Sequence, residues 1–219
     1  MASLWYQGKA NADAPRTYQA LLTDMIGDWR REFGSDLPFL IVQLPNFGAA
    51  PTKPSASNWA DVREAQRRAV AADARAALAV AIDVGLNDEL HPPNKQAVGK
   101  RLSRAARSLI YGEAISPSGP QPVSALREGG QVRVKFKGAE GGLVSYSGAP
   151  HGFELCGEDQ ASCRFVEARI DGEAVVLASP QGLTPTRVRY CWGDGPVCTL
   201  YESAGLPAGP FETAITPGS

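Results

Sequence analysis

The sequence predicts an α/β protein: part of a three-layer, parallel-sheet domain over residues 1–113, then a small antiparallel β domain over 114–219. Three observations point there. Before residue 114, short apolar runs alternate with segments of helical period. Beyond it, short runs, several of them alternating, are separated by Gly, Pro, Asp and Ser. An apolar content of 43% with 21% charged residues is that of a globular chain able to build a real core.

Taken in order, "SLWYQ" is a β-rich apolar start, followed by "RTYQALLTDMIGDWRREF". In that segment Tyr18, Leu21, Leu22, Met25, Ile26 and Trp29 fall on one helical stripe. "LPFLIVQLP" is a short continuous apolar run, the pattern of a strand buried on both faces. A Pro/Ser/Asn-rich loop over 45–58 leads to "WADVREAQRRAVAADARAA", expected as a helix to residue 77. "LAVAIDVG" then predicts a second buried strand and "PNKQAVGKRLSRAARSLIYG" a third helix. Strand and helix in strict alternation imply a parallel sheet.

"SPSGPQP" (116–122) reads as a linker into the β region, where "QVRVKF", "GLVSYSG", "FELCG", "RFVEARIDGEAVVLAS" and "RVRYCWG" supply the strands. Cys156 and Cys163 have six residues between them, and Cys191 and Cys198 repeat the spacing. Two local disulfides account for this pattern, each worth roughly 2–3 kcal/mol by loop closure. Free thiols and a zinc site are the other readings, although zinc knuckles favour shorter spacing and no His lies among these cysteines. Disulfides imply a periplasmic or secreted protein.

Lys and Arg total 22 against 23 for Asp and Glu, with no basic stripe, which argues against nucleic acid or a membrane surface as partner. "AALAVAI" is too short an apolar run to span a bilayer.

Candidate chemistry sits in the loops that follow strands, where open α/β sheets place their ligands. The first is Gln7-Gly8-Lys9-Ala10-Asn11; another is "GLNDELHPPNKQ", carrying Asp88 and His91. An Asp three residues before a His can orient the imidazole for work as a base. The same spacing fits a helix-entry loop in which Asp88 is a turn residue and His91 a surface group. Ser145 and Ser147 lie near His151, but in a turn-rich β segment without a strand-to-helix elbow, so His151 is expected on a surface loop. Trp59, Tyr190 and Trp192 are expected to serve burial rather than sugar stacking.

Two blocks carry a family resemblance. "WYQGKANA" resembles the "WYQGESNA" block of the sialate O-acetylesterase-like carbohydrate esterases of the SGNH-hydrolase superfamily. "NDELHPPNKQAVGKRL" resembles their Asp-x-x-His-Pro block, and "WADVREAQ" and "GLPAGPFET" are similar to other parts of the same family. The resemblance implies that His91 is the catalytic base and Asp88 its orienting acid. Asn11, with Gln7 and Gly8, becomes part of the oxyanion-binding and substrate-binding apparatus. It implies hydrolysis of an acetylated carbohydrate through a serine acyl-enzyme, with no metal or organic cofactor.

Two departures accompany it. Lys9 stands where the family block has an acidic residue, and the family's Gly-Gln-Ser-Asn nucleophile block has no counterpart in this sequence. The expectation is therefore the C-terminal portion of an esterase, with the serine on an N-terminal half or second subunit, and little activity alone. An exposed apolar edge on a partial sheet points to the same partner. The alternative is a non-catalytic carbohydrate-binding or interaction protein on a decayed esterase scaffold.

Overall fold

A computed structural model describes residues 1–139 and 141–218, which cluster into two compact units: 1–47 with 58–118, and 48–57 with 119–218. The mixed α/β architecture follows the expected alternation. In the first unit the order is β1 (Ser3–Trp5), a 3-10 turn over Lys9–Asp13, α1 (Pro15–Phe33), β2 (Phe39–Val42), α2 (Asn58–Ala71), β3 (Ala76–Ala79) and α3 (Lys95–Leu109).

The three strands form one parallel sheet in the order β1-β2-β3, with Ser3 opposite Phe39 and Phe39 opposite Ala76. Every residue of β2 is buried, as its unbroken apolar run requires of a central parallel strand. Helix α1 buries Tyr18, Leu22 and Ile26 and packs on α2, while Leu21 and Trp29 of the same stripe stay exposed. Helix α3 leans on β2 and β3, and Asn94 caps its start by accepting from the Ala97 amide at 3.1 Å.

Two boundaries differ from expectation. Helix α2 ends at Ala71 rather than running to residue 77, because Asp73 folds back to accept from the Arg75 amide at 2.9 Å. That local bond competes with helical pairing, and the Asp73 carboxylate is also held by Arg30 at 2.7 Å. The freed residues from Ala76 become β3, which leaves the ladder after Ala79 although Val80, Ala81 and Ile82 remain buried.

The expected linker over 116–122 is packed rather than loose. Ser118 is buried, and a Cβ on Gly119 would lie 2.2 Å from the Pro207 carbonyl oxygen, which only glycine permits. The strand pattern begins at once with β4 (Gln121–Glu128) and β5 (Gln131–Lys137). There follow β6 (Leu143–Ser145), β7 (Phe153–Cys156), β8 (Arg164–Phe165), β9 (Ala168–Asp171), β10 (Ala174–Ala178), β11 (Arg187–Tyr190), β12 (Leu200–Glu202), β13 (Phe211–Ala214) and β14 (Thr216–Pro217).

Among the described residues these strands form sheets in the orders β14-β4-β5-β10-β9, β13-β11-β7-β8 and β12-β6, antiparallel except for the β14–β4 pair. Strand β5 shows the alternation that makes a half-buried strand: Val132, Val134 and Phe136 point inward, with Gln131, Lys135 and Lys137 outward. These residues share a core with Phe153, Leu155, Val175, Leu177, Tyr190 and Phe211. The cysteines form two disulfides, Cys156–Cys163 and Cys191–Cys198, which settles their three readings. Among the described residues no helix is long and apolar enough to cross a membrane.

Candidate active site

The loops that leave the carboxyl ends of β1, β2 and β3 meet within the first unit. After β1 the chain turns sharply at Gly8, whose φ of 141° and burial suit glycine alone; a Cβ there would lie 3.0 Å from Val62 and 3.3 Å from Tyr18 and Gln66. The preceding carbonyl, of Gln7, accepts from Tyr18 Oη at 2.9 Å and from Gln66 Nε2 at 3.0 Å. Gln66 Oε1 in turn accepts from the Leu44 amide at 3.0 Å, so one buried side chain ties the loop after β1 to the loop after β2.

The 3-10 turn is closed by the Asn11 amide, which donates to the Gly8 carbonyl at 2.9 Å. Gln7 Nε2 donates to Asn11 Oδ1 at 2.6 Å. That bond occupies the acceptor end of the Asn11 amide and leaves Nδ2 as a donor that makes no hydrogen bond among the described residues.

Arg63, on α2, is fully buried and latches the loop after β2. Its Nε donates to the Leu44 carbonyl at 3.0 Å and its guanidinium to the Pro45 carbonyl at 2.5 Å, with the group lying over the Trp59 ring. Asn46 Nδ2 then donates to Asn87 Oδ1 at 3.1 Å. At Gly85 a Cβ would lie 2.3 Å from the Asn46 carbonyl oxygen, so the loop after β3 is pressed against the loop after β2.

His91 stands on that third loop with its ring 73% exposed. Its amide donates to Glu89 Oε1 at 2.7 Å, and its Nδ1 lies 3.7 Å from the same oxygen. Asp88 is exposed on the adjacent turn and forms no hydrogen bond to His91 among the described residues. The ring's nearest carboxylate in this arrangement is that of Glu89.

Lys9 closes the circuit. Its Nζ donates to the carbonyl of Leu90, directly before His91, and lies 5.5 Å from the centroid of Tyr6, a ring that Lys95 also approaches at 5.9 Å. Burial lowers the Lys9 pKa, the nearby Lys95 charge lowers it further, and Glu89 opposes both. Burial pushes the Tyr6 hydroxyl up to about 12, so that phenol stays neutral.

The structure thus brings Gln7, Gly8 and Asn11 into one turn and joins it, through Lys9, to the loop of Asp88 and His91. The residues that sequence reasoning passed over are Arg63, Gln66 and Glu89. A buried Arg and Gln on an otherwise amphipathic helix cannot be told from surface positions until the loop they hold is known.

In the second unit, Ser145 Oγ accepts from or donates to Ser147 Oγ at 3.2 Å and donates to the Ala149 carbonyl at 3.0 Å. The His151 amide donates to Thr199 Oγ1 at 2.8 Å, and among the described residues neither His91 nor His151 bonds a serine hydroxyl through its ring.

A parallel sheet here carries convergent loops at its carboxyl ends, where open α/β sheets hold their ligands, and these loops bear a histidine, carboxylates and side-chain amides. The family model described as "Carbohydrate esterase, sialic acid-specific acetylesterase" matches residues 1–108. Sialate O-acetylesterase of Mus musculus is 27% identical over 241 residues, covering 97% of this chain and 44% of that protein. The Homo sapiens protein of the same name is 29% identical over 248 residues, covering 97% and 46%. A crystal structure described as a novel carbohydrate acetylesterase from Xanthomonas citri superposes with a TM-score of 0.88 at 39% identity, over 97% of this chain and 49% of that one. By these matches the chain is similar to the sialate O-acetylesterase-like carbohydrate esterases. It spans about half the length of the relatives it matches.

Proposed function

We propose that this chain carries the histidine and oxyanion-binding side of a serine-type carbohydrate O-acetylesterase of SGNH-hydrolase type. The observation that carries the reading is the Lys9 bond to Leu90, which joins the loop of Gln7 and Asn11 to the loop of His91. In the reaction, His91 accepts the proton of a serine hydroxyl as that oxygen attacks the acetyl carbonyl carbon. Asn11 Nδ2 donates to the oxyanion of the tetrahedral intermediate, and the imidazolium returns the proton to the departing sugar oxygen. Water, deprotonated by the same imidazole, then hydrolyses the acetyl-serine. The family pattern gives Asp88 the task of orienting the imidazole, a contact that this arrangement does not make, and Glu89, whose carboxylate lies 3.7 Å from Nδ1, is the carboxylate placed to share it.

The serine comes from an N-terminal half or second subunit. Strand β1, at one edge of the three-stranded sheet, carries Leu4 at 63% exposure, an apolar edge suited to pairing with such a segment. The two disulfides support a periplasmic or secreted protein. The β unit after residue 114 accompanies the esterase part as a small domain, and the substrate is an acetylated sugar.

A serine-directed aryl phosphonate tests the reading. It should label the mixture of this chain with a recombinant segment bearing a Gly-Gln-Ser-Asn block, at that serine. Stoichiometric labelling of the isolated chain would overturn it, since a competent serine would then reside within residues 1–219.

A further inference from the structure

The helical stripe expected from the sequence divides in the structure. Helix α1 turns Tyr18, Leu22 and Ile26 into the core, while the neighbouring row, Leu21, Met25, Trp29 and Phe33, runs along its outer flank. Leu21 is 53% exposed, Trp29 38% and Phe33 58%, with Met25 half-buried. Side chains four residues apart form the ridge that one helix sets into the groove of another, and this ridge is about 18 Å long. Apolar residues scattered singly over a surface are ordinary, but a continuous ridge of them marks a contact surface.

The ridge borders the open edge of the sheet. Trp29 packs edge-on against Trp5 of β1, with ring centroids 6.1 Å apart, and meets Phe33 and Phe39 at 5.9 Å. Strand β1 ends the order β1-β2-β3, and its Ser3 amide bonds inward, to the Pro38 carbonyl at 2.9 Å. By the alternation of a parallel strand, the Leu4 amide and carbonyl therefore point outward, to the free edge. The exposed Leu4 side chain lies on the sheet face opposite Trp5, so this edge is apolar on both faces.

Parallel strands are covered by helices on both faces. The crossover helices α1 and α2 pack side by side, in the order of the strands they connect. A helix accompanying a further strand beyond β1 comes next in that row, against the ridge.

We propose that this surface docks a strand-and-helix unit. A strand apolar on both faces pairs in parallel with β1, and an amphipathic helix lays its own apolar row along Leu21, Met25, Trp29 and Phe33. The unit belongs to the serine-bearing segment, an assignment that rests on the esterase reading and on relatives of whose length this chain spans about half.

Sedimentation velocity tests this on the full chain with both disulfides intact, alone and mixed with a recombinant segment bearing the Gly-Gln-Ser-Asn block. The chain alone should sediment as a monomer and the mixture as a one-to-one complex, in which hydrogen exchange of the Leu4 amide slows. Leu21→Glu and Phe33→Glu should each weaken the complex by about tenfold to a hundredfold. Thr23→Glu, which sets the same charge on the opposite side of α1, should change it by less than about threefold, and all three variants should keep the unfolding midpoint of the parent. The proposal is overturned if no complex forms, or if Leu21→Glu and Phe33→Glu bind as tightly as the parent. It is overturned equally if the chain alone forms a dimer that those substitutions dissolve, which would make a second copy the occupant. Acetate release is not the readout: a complex that docks through the ridge and stays inert contradicts the esterase reading and leaves the docking surface standing.

Discussion

Lys9 Nζ donates to the carbonyl oxygen of Leu90, one residue before His91 and 81 residues away in sequence. A cation thus sits where the family block has an acidic group, and here it serves as the tie between two loops. Lys9→Met keeps the stem over Tyr6 and removes the tie. Amide hydrogen exchange in the 86–91 loop should quicken, and turnover of the assembled enzyme should fall by about tenfold to a hundredfold, as expected when a base loses its position. Lys9→Glu, which would set a carboxylate against a carbonyl, should fall at least as far. A rise in activity for Lys9→Glu would show that the tie is dispensable.

Asn11→Asp tests the oxyanion assignment. The change preserves shape and the partner for Gln7 Nε2 but replaces the Nδ2 donor with a negative oxygen. Turnover of the assembled enzyme should drop about 10²–10³-fold with KM little altered, the usual consequence of removing one such donor. An equal loss in KM alone would make Asn11 a binding residue only.

Gly8→Ala tests the strain argument. With φ at 141° and Val62 3.0 Å from the added Cβ, unfolding free energy should fall by about 1–3 kcal/mol in urea titration. A neutral result would mean that the turn can relax without its buried neighbours.

Glu154 carries a pH dependence. It is fully buried on β7, neither carboxylate oxygen has a hydrogen-bond partner among the described residues, and burial raises its pKa from 4.5 to about 7, against the opposing charge of Arg189 and with a smaller push from Glu212. Because the folded state holds this proton more tightly than the unfolded one, the associated stability is full below about pH 4.5. It declines as pH rises and is gone above about pH 7. The decline amounts to about 3 kcal/mol to order of magnitude. Glu154→Gln should flatten the unfolding free energy between roughly pH 5 and pH 8 relative to the parent chain, measured by urea denaturation. A parallel curve for the two proteins would contradict the assignment.

Much of this could be read from the sequence, for physical reasons that differ by element. The unbroken "FLIV" of β2 has the pattern of a strand buried on both faces, and Tyr18, Leu22 and Ile26 share the helical face that meets the core, while Leu21 at its margin stays exposed. The paired cysteines were close enough in sequence for bridging to be the economical outcome. The start of β3 was hidden because alanines continue a helical pattern as readily as they enter a strand, and the deciding feature was the Asp73 side chain turning back on Arg75. Burial of Arg63 and Gln66 depends on carbonyls that only the folded loop presents. The site residues were named by resemblance and spacing. The link through Lys9 and the nearness of Glu89 to the His91 ring are tertiary facts with no periodic signature.

In the proposed reaction His91 serves as the base for a serine supplied from outside residues 1–219. The most direct test of that role is acetate release from an acetylated glycoside by this chain mixed with a segment carrying the Gly-Gln-Ser-Asn block. Chain and segment separately should be inactive and the mixture active, with His91→Ala abolishing turnover while the complex still forms; in the same assay Asp88→Asn and Glu89→Gln apportion the orienting carboxylate. A mixture that forms a stable complex yet releases no acetate, or that works equally well with His91→Ala, would contradict the account.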